Sequence, residues 1–296
     1  MASNIMTEEE LAGFASGIKS SDIDLKSMEK ACPNKIRESR EGVLYGSFSH
    51  GVYYSEFCKM ERGYSILLPP SYDGEKKYPV LYLLHGIFGD EYSFSNDADN
   101  NIKEIIRNLY LDGKVRELIL VCPNMFATDD PNQKPDFTKE ACIPYDNFIY
   151  DLVSDLMPHM EKNYSVLTGR ENTFLAGFSM GGRETIFITL KRPELFKYTC
   201  AIAPAPGLIP TKDKFMEHEG QMEEKDFCFA KDAYEPDAFI ICCGDSDSVV
   251  GTYPKSYHEH LKTKKLHHIW YEIEGADHDN NAVRSGLYNL LIRIGI

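Results

Sequence analysis

The chain has 296 residues, 43% of them hydrophobic, 26% charged and 12% aromatic, enough for one large α/β domain or two smaller ones. Its formal net charge of −14 argues against a nucleic-acid binder or an anionic-membrane binder, since both need basic surface. No apolar run approaches the roughly 20 residues that cross a bilayer, so no membrane partner is expected.

Taken in chain order, residues 1–40 are polar, with an amphipathic helix expected around 8–18. They are read as an N-terminal extension to a single domain covering 41–296. The first 22 residues contain three consecutive glutamates and neither a basic start nor a long apolar run, so they do not read as a secretory signal. That leaves a cytoplasmic protein, or one numbered from beyond a removed signal.

A strand is expected at 64–68 (YSILL), stopped by Pro69 and Pro70, which cannot donate to a ladder. Further strands follow at 80–84, 118–122, 173–176, 199–203, 239–243 and 269–273. Most are apolar throughout, the pattern of strands covered on both faces. Helical spacing occupies the intervals. At 150–164, Leu152, Val153, Leu156 and Met160 form one stripe, with a kink expected at Pro158. Helices are also read at 183–190, 257–266 and 283–294. This alternation predicts an α/β fold, a mostly parallel central sheet with helices on both faces. In such sheets the functional groups gather in loops beyond the carboxyl ends of the strands.

Of the eight cysteines, Cys122, Cys200, Cys242 and Cys243 fall in apolar strands and read as small buried hydrophobes. Cys32, Cys58, Cys142 and Cys228 lie in looser context and are the better disulfide candidates. No C-x-x-C or H-E-x-x-H spacing occurs, so no metal site is expected. The long spans 125–145 and 207–236 are expected to border a pocket as a partial lid.

The sharpest chemical signal is GFSMGG at 177–182, between the strand at 173–176 and the helix after it. G-x-S-x-G is the pattern of a nucleophile elbow, in which a strained turn presents the serine hydroxyl, here Ser179. A serine needs a base to take its proton, and the base needs an orienting carboxylate. In this architecture they follow the serine as acid, then histidine. Beyond the strand at 239–243 stand Asp245 and Asp247; beyond that at 269–273 stands His278. Asp247, two residues further into its loop, is favoured over Asp245 as the group that leans toward His278. The loop after 80–84 carries His85, Gly86 and Ile87. The backbone N–H groups of Ile87 and Met180 are the expected oxyanion donors, and His85 is expected to shape the loop by hydrogen bonds.

The segments YSILLPPSYDGEKKYPVLYLLHG (64–86), GFSMGGRET, CGDSD and GADHD, with the helix at 145–164, resemble the feruloyl esterases of carbohydrate esterase family 1. That group belongs to the esterase D-like α/β-hydrolases, and the resemblance covers about residues 40–296. It implies Ser179 as nucleophile, Asp247 as acid, His278 as base, and Ile87 and Met180 as oxyanion donors, with no cofactor. It also implies a secreted enzyme that releases ferulate or related hydroxycinnamates from plant arabinoxylan. One departure is Phe88, which stands where the family often has a glycine. A planar aromatic acyl group needs an apolar slot, and Phe88, Met125 and Phe126 are the candidate walls. The same scaffold also serves acetylxylan esterases, S-formylglutathione hydrolases and siderophore esterases. A non-catalytic carbohydrate-binding protein is the rival from another class.

Overall fold

Every strand expected from the apolar runs forms in the computed structural model, which describes residues 28–295. The helix expected around 8–18 lies outside the described residues. One eight-stranded sheet carries the order β1-β2-β4-β3-β5-β6-β9-β10. β1 (Phe48–Ser55) and β2 (Met60–Leu67) form an antiparallel hairpin, and β2 pairs antiparallel with β4 (Ile119–Pro123). From β4 onward the pairing is parallel through β3 (Val80–Leu84), β5 (Thr173–Phe178), β6 (Tyr198–Ile202), β9 (Ala238–Gly244) and β10 (Ile269–Ile273).

The central strands are apolar throughout because both faces are covered. Along β3, Leu81 and Leu83 enter one core with Phe174, Ile240 and Leu287, while Val80, Tyr82 and Leu84 enter the other with Val121, Leu156 and Met160. β1 was not apparent in the sequence. It is one edge of the sheet and is covered on one face only, so Tyr53 and Ser55 are buried while Val52 and Tyr54 are exposed.

The helix expected at 150–164 is built in three parts. An α-helical turn at Phe148–Asp151 opens into a π-helical turn at Leu152–Leu156 and resumes as α-helix at Met157–Asn163. Pro158 has no N–H to donate into a regular α-helix, and the wide turn accommodates it without a break. Widening rotates the buried stripe: Leu152, Leu156 and Met160 are buried, and Val153 is only partly so.

Residues 28–40, read as part of the extension, pack onto the domain. Cys32 and Ile36 enter the core, the Cys32 N–H donates to Ser285 Oγ (3.0 Å), and Asn108 Nδ2 donates to Ile36 O (2.8 Å). The disulfide expectation is corrected. All eight cysteines are free: Cys32, Cys58 and Cys142 are buried, and Cys228 is exposed. Each of the three buried thiols fills core space as a small apolar group, which polar neighbours in sequence do not reveal. Among the described residues no helix is long and apolar enough to cross a membrane.

Candidate active site

Ser179 stands between the end of β5 and a helix at Met180–Lys191. Its backbone is at φ 58°, ψ −115°, a conformation that costs a non-glycine residue about 1–3 kcal/mol and persists only where surroundings enforce it. The enforcing bonds come from the next strand. Ser179 N–H donates to Ile202 O (2.9 Å), and Ser179 O accepts from Ala205 N–H (2.9 Å) and Arg183 N–H (3.0 Å). The flanking glycines serve a different need. A Cβ on Gly181 would lie 2.4 Å from Leu84 O, and one on Gly177 would lie 2.2 Å from Gly181 O. They let the helix start pass against β3 and β5, while the strain falls on the serine itself.

Asp247 and His278 are brought together. His278 Nδ1 lies 2.8 Å from Asp247 Oδ2, and Asp247 Oδ1 accepts from the N–H groups of Val249 and Val250 (2.9 Å each). The Asp247 side chain is 1% exposed. Burial works against its charge, but the His278 ring and those two N–H groups outweigh it and hold the carboxyl below its ordinary value. Asp245 points elsewhere and accepts from Gly275 N–H (3.1 Å). Phe178, the neighbour of Ser179, lies under the His278 ring with centroids 4.4 Å apart. Among the described residues no hydrogen bond joins Ser179 Oγ to His278. In substrate-free sites such bonds are commonly long and tighten when substrate arrives.

His85 is buried and spans two loops. Met125 N–H donates to its Nε2 (2.9 Å), so Nδ1 carries the proton and donates to Gly86 O (2.7 Å). Burial pushes its pKa down to about 4, which keeps the ring neutral at neutral pH. Buried Arg62 braces the same region by donating to Phe126 O (2.8 Å) and Asn124 O (2.6 Å). Gly86 faces Ser179: a Cβ there would lie 3.3 Å from Ser179 Cβ. Gly89 N–H donates to Gly86 O (3.1 Å) and closes a turn with Ile87 and Phe88 at its centre. Phe88 sits at φ +64°, in the left-handed region that favours glycine. Its N–H donates to Tyr145 Oη (3.3 Å). Met180 is the first residue of its helix, so its N–H has no partner within it.

Above this floor is a row of exposed rings. Phe88 (54% exposed) meets Phe137 (42%) edge-on at 5.0 Å, and Phe137 stacks on Phe215 (44%) at 4.8 Å with planes 6° apart. Phe215 is carried by a small hairpin, β7 (Thr211–Lys212) paired with β8 (Glu217–His218). Lys214 Nζ donates to Ser248 O in the loop of Asp247 (2.7 Å). The parts of the two long spans around Phe137 and Phe215 therefore lie at the end of the sheet that carries Ser179, whereas residues 230–236 run back to Leu190 and Arg170 at the opposite end. Met125 and Phe126 do not belong to this exposed row. Met125 is fully buried and Phe126 is 8% exposed, edge-on to Tyr145 at 5.2 Å. Both side chains complete the core beside Tyr145 and Leu152. Sequence reasoning missed Phe137 and Phe215. Their signal was a lone aromatic in each of two charged segments, PDFTKE and KDKFMEH.

A family model described as "Putative esterase" matches residues 55–286. Among solved structures, a ferulic acid esterase of carbohydrate esterase family 1 from Anaeromyces mucronatus, in complex with ferulic acid, is 43% identical. The match covers 90% of this chain and 97% of that one, with a TM-score of 0.85. An S-formylglutathione hydrolase from Agrobacterium tumefaciens is 20% identical over 87% of this chain and 97% of its own, TM-score 0.60, a likeness of fold alone. Among curated proteins, an endo-1,4-beta-xylanase/feruloyl esterase from Xylanibacter ruminicola is 30% identical over 164 residues. That is 54% of this chain and 22% of the relative, so the chain spans about a fifth of that relative's length.

Proposed function

Because this chain belongs to the esterase family and, within it, to the feruloyl esterases of carbohydrate esterase family 1, we propose that it is a serine carboxylesterase releasing ferulate or related hydroxycinnamates from arabinoxylan. The observation that carries the choice of acyl group is the row Phe88–Phe137–Phe215 beside the Ser179 elbow. Three exposed rings in contact suit a planar aromatic acid, and an acetyl or formyl group has no use for them.

In this reading Ser179 Oγ attacks the ester carbonyl while His278 Nε2 takes its proton, and Asp247 fixes the Nδ1–H tautomer. The oxyanion rests on the Ile87 and Met180 N–H groups, each contributing on the order of 3 kcal/mol. His278 then protonates the departing sugar alcohol and activates the water that frees the acid. The catalytic unit is taken to begin near residue 28, since Cys32 and Ile36 are core residues. A wall polymer does not enter cells, so the proposal includes action outside the producing cell, which ferulate-releasing activity in the culture medium checks.

The test is a panel of methyl ferulate, acetylated xylan and S-formylglutathione. The reading expects kcat/KM highest on ferulate. A preference for acetyl or formyl groups would replace the substrate and leave the serine chemistry standing.

A further inference from the structure

Two carboxylates beside the acid and the base take no part in the proton transfers described above. Asp245, two residues before Asp247, reaches from the acid loop to the base loop and accepts from Gly275 N–H (3.1 Å to Oδ1, 3.2 Å to Oδ2). Asp277, immediately before His278, reaches the other way. Its Oδ1 accepts from Ser248 N–H (2.7 Å), Ser248 Oγ–H (3.0 Å) and His278 N–H (2.8 Å). Each loop thus lends a carboxylate to the other's backbone, on either side of the Asp247–His278 contact. Ser246 N–H adds a third strut, to Ala276 O (3.1 Å).

We infer that Asp277, with Asp245 as its reciprocal, is a positioning residue that sets the reach between Asp247 and His278. This rests on the reading of those two as acid and base. Three features carry it. The donors that Asp277 gathers belong to the residue after the acid and to the base itself, so its position couples directly to both. β9 and β10 are parallel neighbours, and the sheet fixes their spacing only as far as Gly244 and Ile273. Beyond those residues something else must hold the two loops. Finally, Asp277 and Asp245 are both exposed, so neither serves the core. The Ser248 and His278 N–H groups hold the Asp277 carboxyl below its ordinary value, as befits an ionised acceptor.

An acceptor oxygen, not the charge, is what the clasp needs, so asparagine should serve and alanine should not. Asp277→Ala is expected to lower kcat about tenfold or more with KM unchanged, because misplacing a reacting group by a fraction of an ångström is that costly. Asp277→Asn should return kcat to within about twofold of wild type. The substrate for these measurements is 4-nitrophenyl acetate, so failure of the ferulate assignment does not obscure the result. A second readout needs no turnover: the His278 Nδ1 proton, hydrogen-bonded to Asp247, should give a low-field NMR signal in wild type and Asp277→Asn that is lost or moved in Asp277→Ala. Wild-type kcat and an unmoved signal in Asp277→Ala would overturn the inference. So would an asparagine variant as impaired as alanine, or a fall in kcat and Tm together with the signal unmoved.

Discussion

The floor of the candidate site and its rim are built on opposite principles. Ser179, His85 and Met180 in the floor are at most 6% exposed and sit at a strand end or helix start, and the Ser179 N–H is bonded to Ile202 O of the next strand. The rim places Phe88, Phe137 and Phe215 at 42–54% exposed on three different loops, joined to one another mainly through their rings. A parallel sheet fixes the floor to a fraction of an ångström, which proton transfer and oxyanion binding require. The rim has only to present apolar surface of the right shape, and short loops suffice. On the proposed reading, bond cleavage and choice of ester are separable here, and substitutions should show it.

The sharpest break is at the nucleophile. Ser179→Ala should remove hydrolysis of every ester by roughly a million-fold while leaving the melting curve unchanged, since only Oγ is lost. Next is the acid. Asp247→Asn should cost about ten-thousandfold in kcat by leaving the His278 tautomer unfixed, whereas Asp245→Asn, which keeps its acceptor for Gly275, should cost less than tenfold. The reverse ranking would move the acid to Asp245. A third substitution marks the boundary between the two regions. Phe126→Ala should destabilise the fold by roughly 3–5 kcal/mol, as a buried ring does, with ferulate and acetate esters affected alike. Smallest is the rim itself. Phe215→Ala or Phe88→Ala should remove roughly 1–3 kcal/mol of transition-state binding for methyl ferulate and much less for an acetyl ester, with Tm nearly constant. Equal losses on both esters would assign these rings to the scaffold.

The same division explains what could be read from sequence. Strands β3, β4, β5, β6 and β9 announce themselves because burial on both faces demands unbroken apolar runs, and β10, at the sheet's far edge, is still legible because only Glu272 interrupts IWYEI. GFSMGG, Asp247 and His278 were visible because the sheet puts chemistry at strand ends in a fixed chain order. Rim and edge gave no such signal. β7 and β8 are two residues each, within the charged stretch TKDKFMEH, and no periodicity survives at that length. Phe126 looked like a wall because it follows a strand, but exposure depends on how the chain turns after Pro123. There Arg62, more than 60 residues away in sequence, holds Asn124 O and Phe126 O. The Asp245–Asp277 exchange was equally hidden, since adjacent acids in a loop look alike until the partner N–H groups are known.

The claim on which all this stands is that Ser179 is the reacting group, and an irreversible fluorophosphonate reagent tests it most directly. The protein is labelled until ferulate release stops, then digested, and the modified residue is located by mass spectrometry, with a parallel sample protected by ferulic acid. The account predicts one adduct, on Ser179, slowed by ferulic acid and absent from Ser179→Ala and His278→Ala. Complete loss of ferulate release with Ser179 unmodified, or with the adduct on another residue, would contradict it.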